Sequence, residues 1–365
     1  MTVYIFLLLL MPFALYISQP KQLANKGNSV KYKYPFILVV SFIIAILLKG
    51  LAYDTGADFL SYYDYIKTSE TSHTSEFEFG FRAFAAFIRN NLPVQTFFII
   101  AAFFYYFGAL QISKRFIYAA PLIVFFWSLL FFNLSCNLYR QYYSIAFLFI
   151  AASSYLYRNY IHALLWAFLS VSFHYSSFIA IPFFLICDYL GTKRIRYWMI
   201  AFLIILSSFA GSLFENVINA AYNIYAPILY FFLDSHVYDL SELMDDQYHT
   251  SYAFLMSFFF LIWSYFGYKI KDEIVELRPI YYMSVIYFIL YPLFQQEIMA
   301  RLLLYFQMFV PVLYGVVFHH YYTLLKRKHT ILPISLLLVS VSIYSFLFVY
   351  SLISLLKNYP YQLNL

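Results

Sequence analysis

The chain has 365 residues, of which 64% are hydrophobic and 24% are aromatic, whereas only 11% are charged. Soluble domains carry about 25% charged residues, and a water-soluble globule of this size has too little surface for so much apolar area. This composition excludes a soluble enzyme, a nucleic-acid-binding protein and a disordered chain, and the long apolar runs argue against a β-barrel. We therefore predict an all-α polytopic integral membrane protein.

Apolar runs of nearly the roughly 20 residues that a membrane span requires recur along the whole chain. The first run has no basic leading segment and no small-residue cleavage site, so we interpret it as a span and not as a signal peptide. We predict about twelve spans in a single transmembrane domain, residues 1–365: 2–18, 36–52, 94–111, 117–133, 139–157, 160–173, 175–190, 197–214, 253–268, 280–294, 301–318 and 331–352.

Lysine and arginine are concentrated in one set of alternating loops, which indicates that these loops face the cytoplasm. The acidic residues favour the opposite side. With an even number of crossings, both termini are expected to be external. Two outer loops, residues 53–92 and 215–252, are too long to be simple connectors, so we expect any chemistry to take place outside.

The first outer loop begins with Tyr-Asp-Thr-Gly-Ala-Asp-Phe at 53–59 and continues with several tyrosines. Asp54 and Asp58 would share one face of a helical turn. With Tyr62 and Tyr63 they suit a sugar site, because carboxylates accept hydroxyl hydrogen bonds and aromatic rings cover sugar C–H surfaces. Asp58 could also serve as a general base. A solvated turn with interfacial tyrosines is the simpler interpretation of these residues alone.

Residues 77–90 have the apolar spacing of an amphipathic helix. Phe81 and Ile88 share its apolar face, which we expect to lie in the outer lipid interface. Glu78 and Arg82 share another face and could form an ion pair four residues apart. That charged face could border a cavity, with Glu78 as a sugar ligand, or the helix could serve only as an interfacial anchor.

Arg140 and Arg301 each stand where an apolar span begins on the predicted outer side. Positive charge there opposes the inside bias, and an arginine at membrane depth costs about 2.5–3.5 kcal/mol unless it is paired or hydrated. Guanidinium groups bind phosphate in a bidentate manner, so both residues are candidate diphosphate ligands. Snorkelling at a helix end, or an Arg301–Glu297 pair, would explain them without a ligand.

His174 lies midway along a predicted hairpin of two spans, near the outer boundary of the bilayer core. A titratable group at this depth is a candidate proton carrier or phosphate partner. A histidine hydrogen-bonded to Ser176 or Ser177 at a helix turn is the structural alternative. The sequence has no nucleotide-binding glycine motif and no convincing metal-ligand spacing, so we expect neither a cofactor nor a metal.

Five stretches occur together in order on the predicted outer side: Tyr53 to Phe59 with Tyr62; Glu78 to Phe81; Asn137 to Gln141; Phe173 to Ser177 with Pro182; and Arg301 with Tyr305. Their order and spacing resemble the EpsG-type branch of the bacterial Wzy polysaccharide polymerases over about residues 50–306. One position departs from the pattern of that family. The arginine usual four residues before the glycine is Ala52 here, although Lys49 stands one turn earlier.

The resemblance implies a GT-C-like, metal-independent glycosyltransferase at the outer face of the bacterial cytoplasmic membrane. It would join oligosaccharide units carried on undecaprenyl diphosphate into exopolysaccharide, capsule or O-antigen, the hydroxyl of an incoming unit displacing undecaprenyl diphosphate from the growing chain. His174 or Asp58 would be the base. Arg140 and Arg301, with Arg82 as a further candidate, would bind the departing diphosphate. Besides the bilayer, a flippase and a chain-length regulator would be its partners.

Three other functions remain open at this point. A lipid-linked oligosaccharide flippase or transporter would also suit twelve spans. The long outer loops, the placement of arginine and histidine near one face of the membrane, and the absence of detectable internal repeats argue against it. A membrane O-acyltransferase would require a histidine in an early span and a route for a cytoplasmic acyl donor, and neither is evident. A glycan ligase of the same broad fold would transfer finished glycan to another acceptor.

Overall fold

A computed structural model describes residues 2–19, 32–53, 56, 58–68, 77–210, 250–293, 297–328, 331–358 and 362–363. Apart from one short pair of strands, the regular structure of these residues is helical, which confirms the predicted all-α class. The chain forms two compact units. The first comprises Met1–Ile181 and Pro311–Leu365, and the second comprises Pro182–Val310. Most of the predicted outer loop 215–252 lies outside the described residues.

The helices at the beginning of the chain follow the predicted spans closely. Proline lies in the first turn of the helices Pro35–Gly50 and Ala120–Phe131, where its missing N–H costs no helical hydrogen bond. Further helices, Val310–Lys328 and Ile331–Asn358, occupy the C-terminal part. The helices of the N-terminal part are α1 (Thr2–Ile17), α2 (Pro35–Gly50), α3 (Phe59–Thr68), α4 (Phe79–Asn91), α5 (Gln95–Ser113), α6 (Ala120–Phe131), α7 (Tyr139–Leu156) and α8 (Tyr160–Phe173).

A three-residue connection folds α7 and α8 into a hairpin, and the two helices pack against each other. Within the connection Arg158 has a left-handed φ of 59°, and the side chain of Asn159 caps α8 by accepting from the His162 N–H. The hydroxyls of Ser144 and Ser170 are 2.8 Å apart across the helix interface. The hairpin returns the end of α8 to the beginning of α7, and the candidate site lies there.

α7 also packs against α5, and α5 packs against α2. Gly108 permits the close approach of α5 to α7, because a Cβ at this position would lie 3.0 Å from the Cα of Ala146. Helices α3 and α4 contribute further rings to the same region. Together these helices build an aromatic core whose buried rings include Phe59, Tyr65, Phe81, Phe97, Phe98, Tyr139, Tyr143, Phe147 and Phe173.

The predicted outer loop 53–92 is largely ordered into α3 and α4. Ahead of α3, the short strand Ala52–Tyr53 (β1) pairs in antiparallel register with Gln362–Leu363 (β2), so that Ala52 faces Leu363 and Tyr53 faces Gln362. The C-terminal end of the chain is thereby joined to the segment that leads into the predicted sugar-binding loop.

Helix α4 confirms the amphipathic helix predicted over residues 77–90, but the prediction that its apolar face lies in lipid is wrong. Phe81 and Ile88 are fully buried in the aromatic core, whereas Phe79 and Phe87, which lie outside the predicted apolar face, are exposed. Periodicity indicates which residues share a helix face. It does not indicate whether lipid or protein covers that face, because both are equally apolar.

The second unit is also helical. Its helices include Tyr197–Ala210, Thr250–Ile270, Leu277–Leu290 and Glu297–Gln307, together with most of Ala180–Gly191. The hydroxyl of Tyr197 donates to the carbonyl of Leu261 at 2.9 Å, and the rings of Phe260 and Phe288 stack with centroids 4.4 Å apart. The predicted span 301–318 lies within the helical stretch Ala300–Leu325, which a turn at residues 308 and 309 interrupts.

By length and composition, two helical stretches of the described chain could cross a membrane: Gln95–Phe116 and Ala300–Leu325. Shorter apolar helices coincide with most of the other predicted spans. On α8, the side chains of Ile161, Leu164 and Phe168 are 68–75% exposed. Such continuous apolar surface is unusual in water and is typical of a helix that faces lipid. The helical architecture is therefore compatible with a membrane protein.

Candidate functional site

A buried carboxylate, that of Glu78, is at the centre of the candidate site. Glu78 is the N-cap residue of α4, with an extended backbone. Its Oε2 accepts a hydrogen bond from Nη1 of Arg140 at 2.7 Å, and its Oε1 lies 2.6 Å from Nδ1 of His174. The Glu78–Arg82 ion pair that the four-residue spacing predicted is not formed, and Arg82 is exposed. Glu78 thus connects the beginning of α7 to the end of α8.

Arg140 lies in the first turn of α7, where the helix dipole disfavours a positive charge. The ion pair with Glu78 offsets that cost. Nε of Arg140 also donates to the hydroxyl of Tyr62 at 3.2 Å, and the guanidinium lies 4.3 Å from the ring centroid of Phe77. The Arg140 side chain keeps 22% of its surface exposed, so the cation is fixed by protein contacts and still reachable.

His174 is the residue at which α8 ends, and its backbone N–H donates to Ser170. Because a carboxylate can only accept, the proton between Glu78 and His174 belongs to Nδ1 of the ring. The neutral imidazole then carries its lone pair on Nε2, the nitrogen that could take up a proton. The sequence-based alternative, a side-chain bond to Ser176 or Ser177, is replaced by this contact with Glu78.

The charges in the site are mutually stabilising. Burial alone would raise the pKa of Glu78, but the hydrogen bond from His174 and the charge of Arg140 together hold this pKa below its usual value. Burial raises the pKa of Tyr62, and the nearby charge of Asp58 adds to that increase, although Arg140 opposes it. At neutral pH, Glu78 is therefore an anion and Tyr62 is a neutral phenol.

Two glycines allow the segments that carry the site to approach closely. A Cβ on Gly80, in the first turn of α4, would collide with Ser172 near the end of α8. A Cβ on Gly56, just before α3, would collide with Asn137 and with the carbonyl of Cys136. Side chains at either position would push Glu78 or the loop before Tyr62 away from the α7–α8 hairpin.

Lys49 does not contact Glu78, Arg140 or His174. Its ammonium donates to Oγ of Ser135 at 2.8 Å and lies 3.4 Å from Sγ of Cys136, both in the short 3₁₀ turn that precedes α7. The resemblance implies an arginine at the position of Ala52, and Lys49, which lies one turn earlier, holds the turn leading to the site.

The other sequence-predicted site residues have different placements. Asp58 is partly buried immediately before α3, close enough to Tyr62 to affect its pKa. Tyr63 packs in edge-to-face contact with Tyr53, with ring centroids 5.9 Å apart. Arg301 is exposed on Glu297–Gln307 in the second unit. Asp54 lies outside the described residues.

Four residues flagged separately in the sequence are therefore hydrogen-bonded in series: Tyr62, Arg140, Glu78 and His174. The sequence suggests Glu78 as a sugar ligand, which stays a prediction, and the structure adds that its carboxylate is the shared acceptor of Arg140 and His174. Among the described residues, no group of three or more histidine, cysteine or acidic side chains could hold a metal ion.

Comparison with known proteins identifies the family of the chain. No curated protein and no solved structure matches the chain significantly. The model of the EpsG family, in contrast, matches residues 35–363, a range that contains all the residues of the site. Because the match covers nearly the whole chain, the protein belongs to the EpsG family, and it is accordingly a membrane protein with a polysaccharide polymerase-like role.

Proposed function

We propose that the protein joins oligosaccharide repeat units carried on undecaprenyl diphosphate, at the outer face of the bacterial cytoplasmic membrane. Membership of the EpsG family supports a glycosyltransferase-like polymerase. The observation that carries the chemistry is the series Tyr62–Arg140–Glu78–His174, in which one buried carboxylate holds both a cation and a histidine.

In this proposal His174 is the general base. The terminal sugar hydroxyl of an incoming unit attacks the anomeric carbon of the growing chain, and its proton passes to Nε2 of His174 as the new C–O bond forms. The bond between the anomeric carbon and the diphosphate oxygen breaks, and undecaprenyl diphosphate leaves with the bonding electrons. Glu78 and the negative end of the α8 dipole stabilise the positive charge that His174 gains.

Arg140 is the proposed ligand of the departing diphosphate. A guanidinium has five N–H donors, of which Tyr62 and Glu78 use one each on Arg140. The donors that remain, on Nη1 and Nη2, can bind phosphate oxygens. Because Glu78 and Phe77 fix the cation before substrate arrives, its charge needs little reorganisation during the reaction.

The remaining predicted residues complete the proposal. Arg301 and Arg82, both exposed, are further candidate ligands for the diphosphate. Asp58 is the alternative base, and the proposed sugar ligands are Asp54, Tyr62, Tyr63 and Glu78. About twelve spans, a GT-C-like arrangement, external termini and independence of metal ions belong to the same proposal. No nucleotide is required, because the lipid-linked donor is already activated.

The test is a polymerisation assay with purified protein in liposomes that contain lipid-linked repeat units, in which products are resolved by length. We expect a ladder of longer chains from the wild type and its loss in His174→Ala and Arg140→Ala. His162→Ala, an exposed histidine at the other end of α8, is the matched control and should extend chains at the wild-type rate.

The outcomes separate the candidate functions. Translocation of lipid-linked units without longer products would contradict the proposal and favour a transporter. Transfer of preformed glycan to a different acceptor would favour a ligase. A normal ladder of products from the His174→Ala variant would show that His174 is not the base, and the same assay would then be applied to Asp58→Ala.

A further inference from the structure

Arg89, near the end of α4, forms a two-pronged contact with the end of α3. Its Nη2 donates to the carbonyl of Tyr65 at 2.8 Å, and its Nε donates to the carbonyl of Ile66 at 2.9 Å. The guanidinium carbon lies 5.7 Å from the ring centroid of Tyr65. Neither the family resemblance nor the proposed reaction gives this arginine a role.

The carbonyls that Arg89 binds belong to the last turn of α3, which ends at Thr68. The final four carbonyls of a helix have no partner within the helix, and they form the negative end of its dipole. A cation that donates to two of them is therefore favoured both as a hydrogen-bond donor and electrostatically. Arg89 acts as a C-terminal cap that α4 supplies to α3.

This cap bears on the candidate site because the same two helices carry two of its members. Tyr62 belongs to α3 and accepts from Arg140, and Glu78 precedes α4 and accepts from Arg140 as well. The contact between Arg140 and Tyr62 depends on the position of α3. Among the described residues of α3, Tyr62 is the only one that the structure shows hydrogen-bonded to the site.

We propose that Arg89 is a positioning residue, which fixes α3 on α4 so that the Tyr62 hydroxyl stays on the Arg140 guanidinium. The inference rests on the proposed function and deepens it. Arg89 acts on the leaving-group cation through α3 and Tyr62, and it does not itself bind the diphosphate. The contact with α3 then explains why Arg89 lies on the predicted outer side, where basic residues are scarce.

The test is a double-mutant cycle on the rate of chain extension, with Arg89→Ala, Tyr62→Phe and the combination. Arg89→Ala should slow extension about tenfold or more, because small displacements of a positioned group are costly to a reaction. In the Tyr62→Phe background, which already lacks the hydroxyl, Arg89→Ala should cause little further loss. Arg89→Lys, which can still donate to one carbonyl, should recover part of the rate.

Lys67→Ala is the matched control, since it removes an exposed cation from the same last turn of α3 and should leave the rate unchanged. Additive losses of activation free energy in the cycle would overturn the positioning role. A rise in KM for the lipid-linked unit that Arg89→Ala still causes in the Tyr62→Phe background would instead identify Arg89 as a direct ligand. Unfolding temperature is measured for each variant, so that a general loss of structure is recognised and counts against the proposal. If the wild type makes no ladder, the proposed function has failed, independently of this inference.

Discussion

The replacement Glu78→Gln is the sharpest test of the site, because glutamine keeps the shape of the side chain but cannot serve both of its partners. Glu78 accepts at Oε2 from Arg140 and at Oε1 from His174. Glutamine has one carbonyl oxygen and one NH₂ group, so one partner must face a second donor. If the NH₂ group faces His174, the ring must carry its proton on Nε2, where it cannot accept the substrate proton.

The expected magnitudes follow from the burial of the three side chains. Removing one member of a buried charge pair costs about 3–5 kcal/mol. The side chains of Arg140 and His174 keep 22% and 24% of their surface exposed, so water replaces part of the lost contact. We therefore expect the free energy of unfolding to fall by about 2 kcal/mol. The rate should fall by about hundredfold or more, since general-base catalysis contributes roughly 10²–10⁴.

The assay is the length-resolved polymerisation reaction, with thermal unfolding in detergent measured on the same preparations. Because Glu78 is proposed to act on both His174 and Arg140, the loss of rate in the double variant with His174→Ala should be smaller than the product of the two single losses. A wild-type rate for Glu78→Gln would refute the reasoning outright. Losses that multiply in the double variant would show that Glu78 acts separately from the histidine.

Three further predictions concern the same region. The pKa of Glu78 is lowered in the folded protein. The contribution of its charge to stability is therefore complete above the ordinary carboxyl pKa of about 4.3, and it is lost as the pH falls through the lower pKa of the folded protein. The unfolding temperature of the wild type should accordingly approach that of Glu78→Gln as the pH is lowered from 7 to 3. Gly80→Ala should lower the free energy of unfolding by about 1–3 kcal/mol and slow chain extension, because its Cβ would collide with Ser172; an unchanged unfolding temperature would contradict the close approach. Lys49→Met should slow chain extension several-fold by releasing the turn at Ser135, and an unchanged rate would show that this turn does not position α7.

Hydrophobic patterning was sufficient to predict the helices, and it failed where the partner of an apolar face had to be known. The spans 139–157 and 160–173 correspond to α7 and α8 almost residue for residue, because their lengths and short connection are local properties. Phe81 and Ile88 were assigned to one helix face correctly and to lipid wrongly. Burial of Phe81 in the aromatic core depends on tertiary packing against rings of other helices, such as Phe97 of α5 and Phe173 of α8, and helical periodicity carries no information about that packing.

The members of the site were recognised one by one, but their connection was not. Rare charge on the predicted outer side indicates Arg140 and His174 as candidates, and the Tyr-rich loop indicates Tyr62. Glu78 was paired with Arg82 because residues four apart meet on a helix surface. That rule does not apply here, since Glu78 is the N-cap residue and lies outside the helix, with a backbone of φ −60° and ψ 148°.

Cations are scarce on the predicted outer side, and several of them have partners within the protein. Lys49 donates to a turn before α7, Arg89 caps α3 and Arg140 pairs with Glu78, so an internal contact accounts for each of the three. A positive charge on that side is therefore not by itself a sign of a phosphate site. Arg140 is distinguished by its acceptor, because only the carboxylate of Glu78, among these contacts, is shared with a titratable histidine. The proposed catalysis thus depends on the carboxylate that His174 and Arg140 share, and much less on the number of cations.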